Sequence, residues 1–179
     1  NFLVDSSKGS ACSWLATWLS SNGLVSIEQS LNCLQINENC GAGNFSPTDQ
    51  WSWEELDSEH VLLKSMHNQY SKSNELLPGQ IIAAALDGDA DRCLLFEVLE
   101  DKSGIRVVDG DRITDDIIQA GVLKNPDTDW TLASSIESDL SLTSSLSRLP
   151  KDIENLETAV GDRWLSLALC NSTVPSLIQ

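Results

Sequence analysis

The chain has 179 residues, 41% of them hydrophobic and 21% charged, enough for one domain and a fraction of a second. Its 27 acidic residues against 11 basic ones leave a net charge of −16. Nucleic acid and anionic membrane surfaces are thereby excluded as partners, since both need clustered Lys and Arg. No apolar run is long enough for a membrane span.

The first apolar run, Phe2-Leu3-Val4, ends at Asp5 and reads as a strand. Residues 6–10 are a turn of small residues. Ala11, Trp14, Leu15, Trp18 and Leu19 then recur at helical spacing, and Asn22-Gly23 closes that helix. Residues 31–36 read as a strand, 37–49 as a loop, and 53–70 as a helix carried by Leu56, Leu63, Met66 and Tyr70. Ile81–Leu86 is continuously apolar, as expected of a strand buried on both faces. Residues 93–99 and 106–108 form a hairpin about Asp101-Lys102-Ser103-Gly104, and a helix follows over 111–122. Beyond Asn125-Pro126-Asp127 the alternation restarts: strand 130–134, helix 140–149, strand 156–160, helix 163–170.

The fold expected is α/β: a three-layer domain with a mixed β-sheet flanked by helices, over residues 1–124, and a truncated second α/β unit over 125–179. The five cysteines, Cys12, Cys33, Cys40, Cys93 and Cys170, are odd in number and contain no C-x-x-C pair. Buried free thiols in a reducing cytoplasm are expected. The chain shows no secretory leader, does not begin with Met, and is expected to be cut from a longer polypeptide at both ends.

Chemistry concentrates in Asp87-Gly88-Asp89-Ala90-Asp91-Arg92, directly after the buried strand. Three carboxylates at i, i+2 and i+4 repel one another unless a hard cation neutralises them. Oxygen ligands suit Mg²⁺ or Mn²⁺, and no His or Cys stands beside them to suggest zinc. Gly88 and Ala90 leave the backbone room to curl, and Arg92 offers a cation for a phosphate oxygen. An EF-hand would need Gly and Glu where this chain has Arg92 and Val98. A haloacid-dehalogenase-type phosphatase, with Asp87 as nucleophile, would want Thr or Val in place of Asp91. That reading and a plain divalent-cation-binding module are the alternatives.

The hexapeptide resembles the D-G-D-x-D-R metal signature of the α-D-phosphohexomutases, the family of phosphoglucomutase and phosphomannomutase. Val107-Val108-Asp109-Gly110-Asp111-Arg112-Ile113 resembles the family's V-D-G-D-R-I segment. Thr158-Ala159-Val160-Gly161-Asp162-Arg163 resembles the T-x-V-G-D-R loop of its third domain, and residues 2–19 look like the start of its second. The resemblance implies that Asp87, Asp89 and Asp91 bind Mg²⁺ and Arg92 contacts phosphate in catalysis. It implies that Gly161, Asp162 and Arg163 meet a hexose phosphate interconverted between its 1- and 6-phosphates through a phosphoserine. The family's T-A-S-H-N-P nucleophile, G-E-x-S-G-H and R-x-S-G-T-E-P motifs are absent. The remaining domains of the same polypeptide are therefore the expected partners, and this chain alone is expected to be inactive.

Other features carry less. Asp109, Asp111 and Arg112 fit a turn and helix start. Ser6-Ser7-Lys8-Gly9-Ser10 has the wrong order for a phosphate-binding P-loop and reads as a strand-to-helix turn. Gly41-Ala42-Gly43 lacks the helix a dinucleotide loop requires. His60 and His67 are read as surface residues, and the six tryptophans as core or domain-interface residues.

Overall fold

The computed structural model describes residues 2–6, 8–21, 33–36, 41–56, 60–138, 140–149 and 153–178. By packing these divide into two units, Asn1–Asp109 and Gly110–Gln179.

In the first unit the apolar runs become β1 (Phe2–Asp5), β2 (Cys33–Ile36), β3 (Gln50–Ser52), β4 (Ile81–Leu86), β5 (Cys93–Val98) and β6 (Gly104–Val108). They form one six-stranded sheet in the order β2-β1-β4-β5-β6-β3. β1 runs parallel to β2 and to β4, while β4, β5, β6 and β3 pair antiparallel, so the sheet is mixed as expected. Among the described residues two α-helices accompany it, α1 (Leu15–Ser21) and α2 (Val61–Tyr70).

The β4 run Ile82 to Ala85 is buried throughout, which is why it lacks polar alternation. Leu62, Leu63, Met66 and Tyr70 of α2 pack into one core with Leu3, Ile82, Phe96, Val98 and Ile105 of the sheet. Burying each of these large side chains contributes about 2 kcal/mol. Phe45 packs edge-to-face on Phe96 with ring centroids 5.0 Å apart. Across the hairpin, Arg106 Nη2 lies 2.6 Å from Glu97 Oε2, and its Nε donates to the same oxygen at 2.7 Å.

Several expectations are corrected here. Of the helix read over 53–70, Val61–Tyr70 is helical and residues 53–56 are turns that follow the pairing of 50–52 with β6, while residues 57–59 lie outside the described residues. The free edge of β6 offers ladder hydrogen bonds that no local propensity announces. His60 sits before α2 rather than on it, half-buried with its ring 4.6 Å from Phe45. Burial pushes its pKa down, and the negative charge of Asp5 opposes that shift. His67 Nδ1 bonds the Trp53 carbonyl at 2.6 Å. Trp14, Trp18 and Trp164 are exposed, which sets aside the core half of the core-or-interface reading for these three, and Cys93 and Cys170 are exposed rather than buried. The helix end read at Asn22-Gly23, the first two residues of the strand read over 31–36, and residues 37–40 with Cys40 lie outside the described residues.

The second unit contains α3 (Gly110–Lys124), β7 (Thr131–Ser135), α4 (Leu140–Leu146), β8 (Glu154–Thr158), α5 (Asp162–Leu169) and β9 (Ser176–Ile178). Its strands form a parallel sheet in the order β8-β7-β9, with every residue of the central β7 buried. Ile118 and Val122 of α3 pack with Leu132, Leu142 and Leu146. Ser145 Oγ donates to Asp115 Oδ1 at 2.7 Å, tying α4 to α3. By packing, the division between the units lies between Asp109 and Gly110. The apolar stripe of α3 covers the sheet that follows it in the chain.

Candidate metal centre

The aspartate loop closes the hairpin between β4 and β5, whose last ladder pair is Leu86 with Cys93. Asp87 is partly buried, and Asp89 and Asp91 are exposed. One carboxylate oxygen from each lies within 4.8 Å of the other two. Mg²⁺ holds oxygens at about 2.1 Å in octahedral geometry, so opposite ligands stand about 4.2 Å apart. The three oxygens, within 4.8 Å of one another, would draw closer around an ion, since at most one pair of three can be opposite and adjacent ligands stand about 3.0 Å apart. The donor set, three hard oxygens without nitrogen or sulfur, fits the same ion.

The curl that gathers the three side chains comes from Asp87 itself. Its Oδ1 accepts hydrogen bonds from the amides of Ala90 at 3.1 Å and Arg92 at 3.3 Å. Its own amide donates to the Arg92 carbonyl at 3.3 Å. Ala90 adopts φ +67°, the left-handed region that an alanine enters only when its surroundings hold it there. Residues two apart share a face only while a strand stays extended, and its neighbours pair it into the sheet. The curl instead turns the loop out of the ladder and brings the three carboxylates around one point. The other oxygen, Asp87 Oδ2, lies 3.9 Å from Arg92 Nε. The Arg92 side chain is 79% exposed, so its remaining donors face solvent, where an anion could be met.

A second chain segment reaches the loop. Ser10 donates from its amide to the Gly88 carbonyl at 2.9 Å and from its hydroxyl to the Asp89 carbonyl at 3.0 Å. Sequence reasoning read Ser6 to Ser10 as a turn and missed this contact. No local signal could have shown it, since Ser10 and Asp89 are 79 positions apart.

Gly161, Asp162 and Arg163 lie in the second unit, after β8 and at the start of α5. All three are exposed, and Gly161 has φ +115°, a conformation that favours glycine. The Arg163 guanidinium stacks 5.5 Å from the Trp164 ring centroid. Asp111 is buried in the first turn of α3, which suits the helix-start role read for it. Among the described residues no helix is long and apolar enough to cross a membrane.

No protein-family model matches the chain. It is 33% identical over 143 residues to a phosphoglucosamine mutase of Corynebacterium aurimucosum, covering 79% of this chain and 25% of that protein. It is 27% identical over 170 residues to a phosphoglucosamine mutase of Lactobacillus delbrueckii subsp. bulgaricus, covering 92% and 30% respectively. The chain thus spans less than a third of the length of the curated relatives it matches. Its fold is similar to an N-acetylglucosamine-phosphate mutase of the α-D-phosphohexomutase superfamily, solved in a product complex. That match has TM-score 0.60 and 14% identity, over 99% of this chain and 31% of that one. It is also similar to an Aspergillus fumigatus N-acetylphosphoglucosamine mutase solved with glucose 1,6-bisphosphate, with TM-score 0.55 and 18% identity over 99% and 31%. The family resemblance read from the motifs is borne out by these relatives in sequence and in fold.

Proposed function

We propose that this chain is a segment of an α-D-phosphohexomutase, acting in the cytoplasm, and that it supplies the enzyme's Mg²⁺ site. Asp87, Asp89 and Asp91 would hold the ion, and Arg92 would contact a phosphate oxygen. Bound there, Mg²⁺ would supply electrostatic stabilisation of the phosphoryl group in transfer. The observation that carries the reading is the convergence of three carboxylates within 4.8 Å beside a guanidinium.

The residues of this chain have distinct tasks. The backbone amides on Asp87 Oδ1 hold that carboxylate in place, with its Oδ2 3.9 Å from Arg92 Nε. Arg92, planar and always charged, can take a phosphate oxygen at a fixed orientation, which a net charge of −16 makes necessary. The substrate is a hexose phosphate, shuttled between its 1- and 6-phosphates. The phosphoglucosamine mutases among the relatives favour an amino-sugar phosphate. Gly161, Asp162 and Arg163 would meet it, and the phosphoserine and remaining sugar contacts would come from other domains of the polypeptide.

Phosphorus NMR of the full-length polypeptide with glucosamine 6-phosphate should show exchange with the 1-phosphate, dependent on Mg²⁺ and lost in Arg92→Ala. The 179-residue chain should show no such exchange. Hydrolysis of the phosphate ester to inorganic phosphate would overturn the mutase reading in favour of a phosphatase.

A further inference from the structure

β1 and β4 are parallel neighbours with Asp5 opposite Ala85, so both chains leave the sheet at the same end. The turn after β1 therefore meets the loop after β4. Lys8, with φ +55°, reverses the chain, and the Gly9 amide donates to the Ser6 carbonyl at 2.7 Å. Gly9 then lies flat against Gly88: a Cβ on Gly9 would overlap the Gly88 carbonyl oxygen and come within 2.9 Å of its Cα. That close approach lets Ser10 reach two successive carbonyls, those of Gly88 and Asp89. Gly88 has nothing within 4 Å of its own Cβ position, so side-chain packing does not hold it.

We propose that Gly9 and Ser10 are positioning residues that clamp the peptide planes on both sides of Asp89 and so orient its carboxylate for the metal. This rests on the reading that Asp87, Asp89 and Asp91 bind Mg²⁺. The bond to the Gly88 carbonyl fixes the plane entering Asp89, and the bond to the Asp89 carbonyl fixes the plane leaving it. With both planes held, the Cα–Cβ direction of Asp89 is set before any ion arrives. Without the clamp the loop would have to be ordered by the ion itself, and that ordering would weaken binding. Gly9 is required because only a residue without Cβ admits the contact, and Ser10 because its hydroxyl supplies the second bond.

The test measures Mg²⁺ affinity by calorimetry, and hydrogen exchange of the metal-free chain, in Ser10→Ala, Ser10→Thr and Gly9→Ala. Ser10→Ala should weaken Mg²⁺ about fivefold, the loss of roughly one hydrogen bond. Exchange should quicken in residues 87–92 and stay unchanged in β5 and β6. Ser10→Thr keeps the hydroxyl and should restore both. Gly9→Ala should weaken Mg²⁺ further than Ser10→Ala. Wild-type affinity and unchanged loop exchange in Ser10→Ala and Gly9→Ala would overturn the clamp. If the unmodified chain takes up no Mg²⁺, the metal reading fails instead, and the exchange data alone decide whether Gly9 and Ser10 order the loop.

Discussion

Arg92 meets Asp87 through three separate contacts: its amide donates to Oδ1 at 3.3 Å, its carbonyl accepts from the Asp87 amide at 3.3 Å, and its Nε stands 3.9 Å from Oδ2. The first two close the loop, and the third balances its charge. Asp87 is therefore a structural residue as well as a proposed ligand, whereas Asp89 offers an exposed carboxylate.

Substitution should separate these roles. Mg²⁺ should raise the thermal midpoint of the chain, because an ion that binds only the folded loop stabilises it by mass action. Asp89→Asn should blunt that rise while leaving metal-free stability within about 0.5 kcal/mol of the original. Asp87→Ala should abolish the rise and also cost about 1–2 kcal/mol without metal, since two amides lose their acceptor. Thermal melts with and without Mg²⁺ distinguish the two. An undiminished rise in both variants would count against the assigned ligands.

The edge strand β3 depends on the glycine that opens β6. A Cβ on Gly104 would overlap the Trp51 carbonyl oxygen and approach Ser52 Cα to 2.8 Å. Both are backbone atoms, which cannot rotate away. Gly104→Ala should cost about 3 kcal/mol in a denaturant titration and speed amide exchange over residues 50–52. Gly43→Ala, where nothing lies within 4 Å, serves as the control and should stay within about 0.5 kcal/mol.

Tyr70 is the single tyrosine of the chain, so its ionisation can be read without ambiguity. Burial against the core pushes its pKa up to about 12. A folded pKa above the unfolded value of about 10 favours the protonated form. Its contribution to stability is therefore complete below pH about 10 and is lost as the pH rises towards about 12. Tyrosinate absorbance should appear near the upper value in the folded chain and near the lower one in denaturant. Tyr70→Phe should flatten the alkaline fall in stability over that window. A folded-state midpoint at the ordinary tyrosine value would show that the phenol is solvated.

The element types and the chemistry of the loop were legible because their signals are local. Ile82 to Ala85 is apolar without alternation, which marks a strand covered on both faces. Three aspartates two apart mark a candidate cation site by mutual repulsion, whatever surrounds them. What could not be read depended on partners distant in the chain. Residues 50–52 became a strand only because the β6 edge was there to pair with. The helix Gly110–Lys124 reads as the end of the first unit yet packs with the second, because an apolar stripe says that a face is covered and not by what; Ile118 and Val122 found Leu132 and Leu142.

The sequence by itself determined the acidic character, the carboxylate trio and the strand and helix order apart from β3 and β9, since each rests on side-chain chemistry and spacing within a few residues. The tertiary structure alone decided that Ser10 would hold the loop carrying Asp89. That contact exists because β1 and β4 lie parallel and adjacent, and strand order is set by the packing of the whole sheet rather than by any one segment.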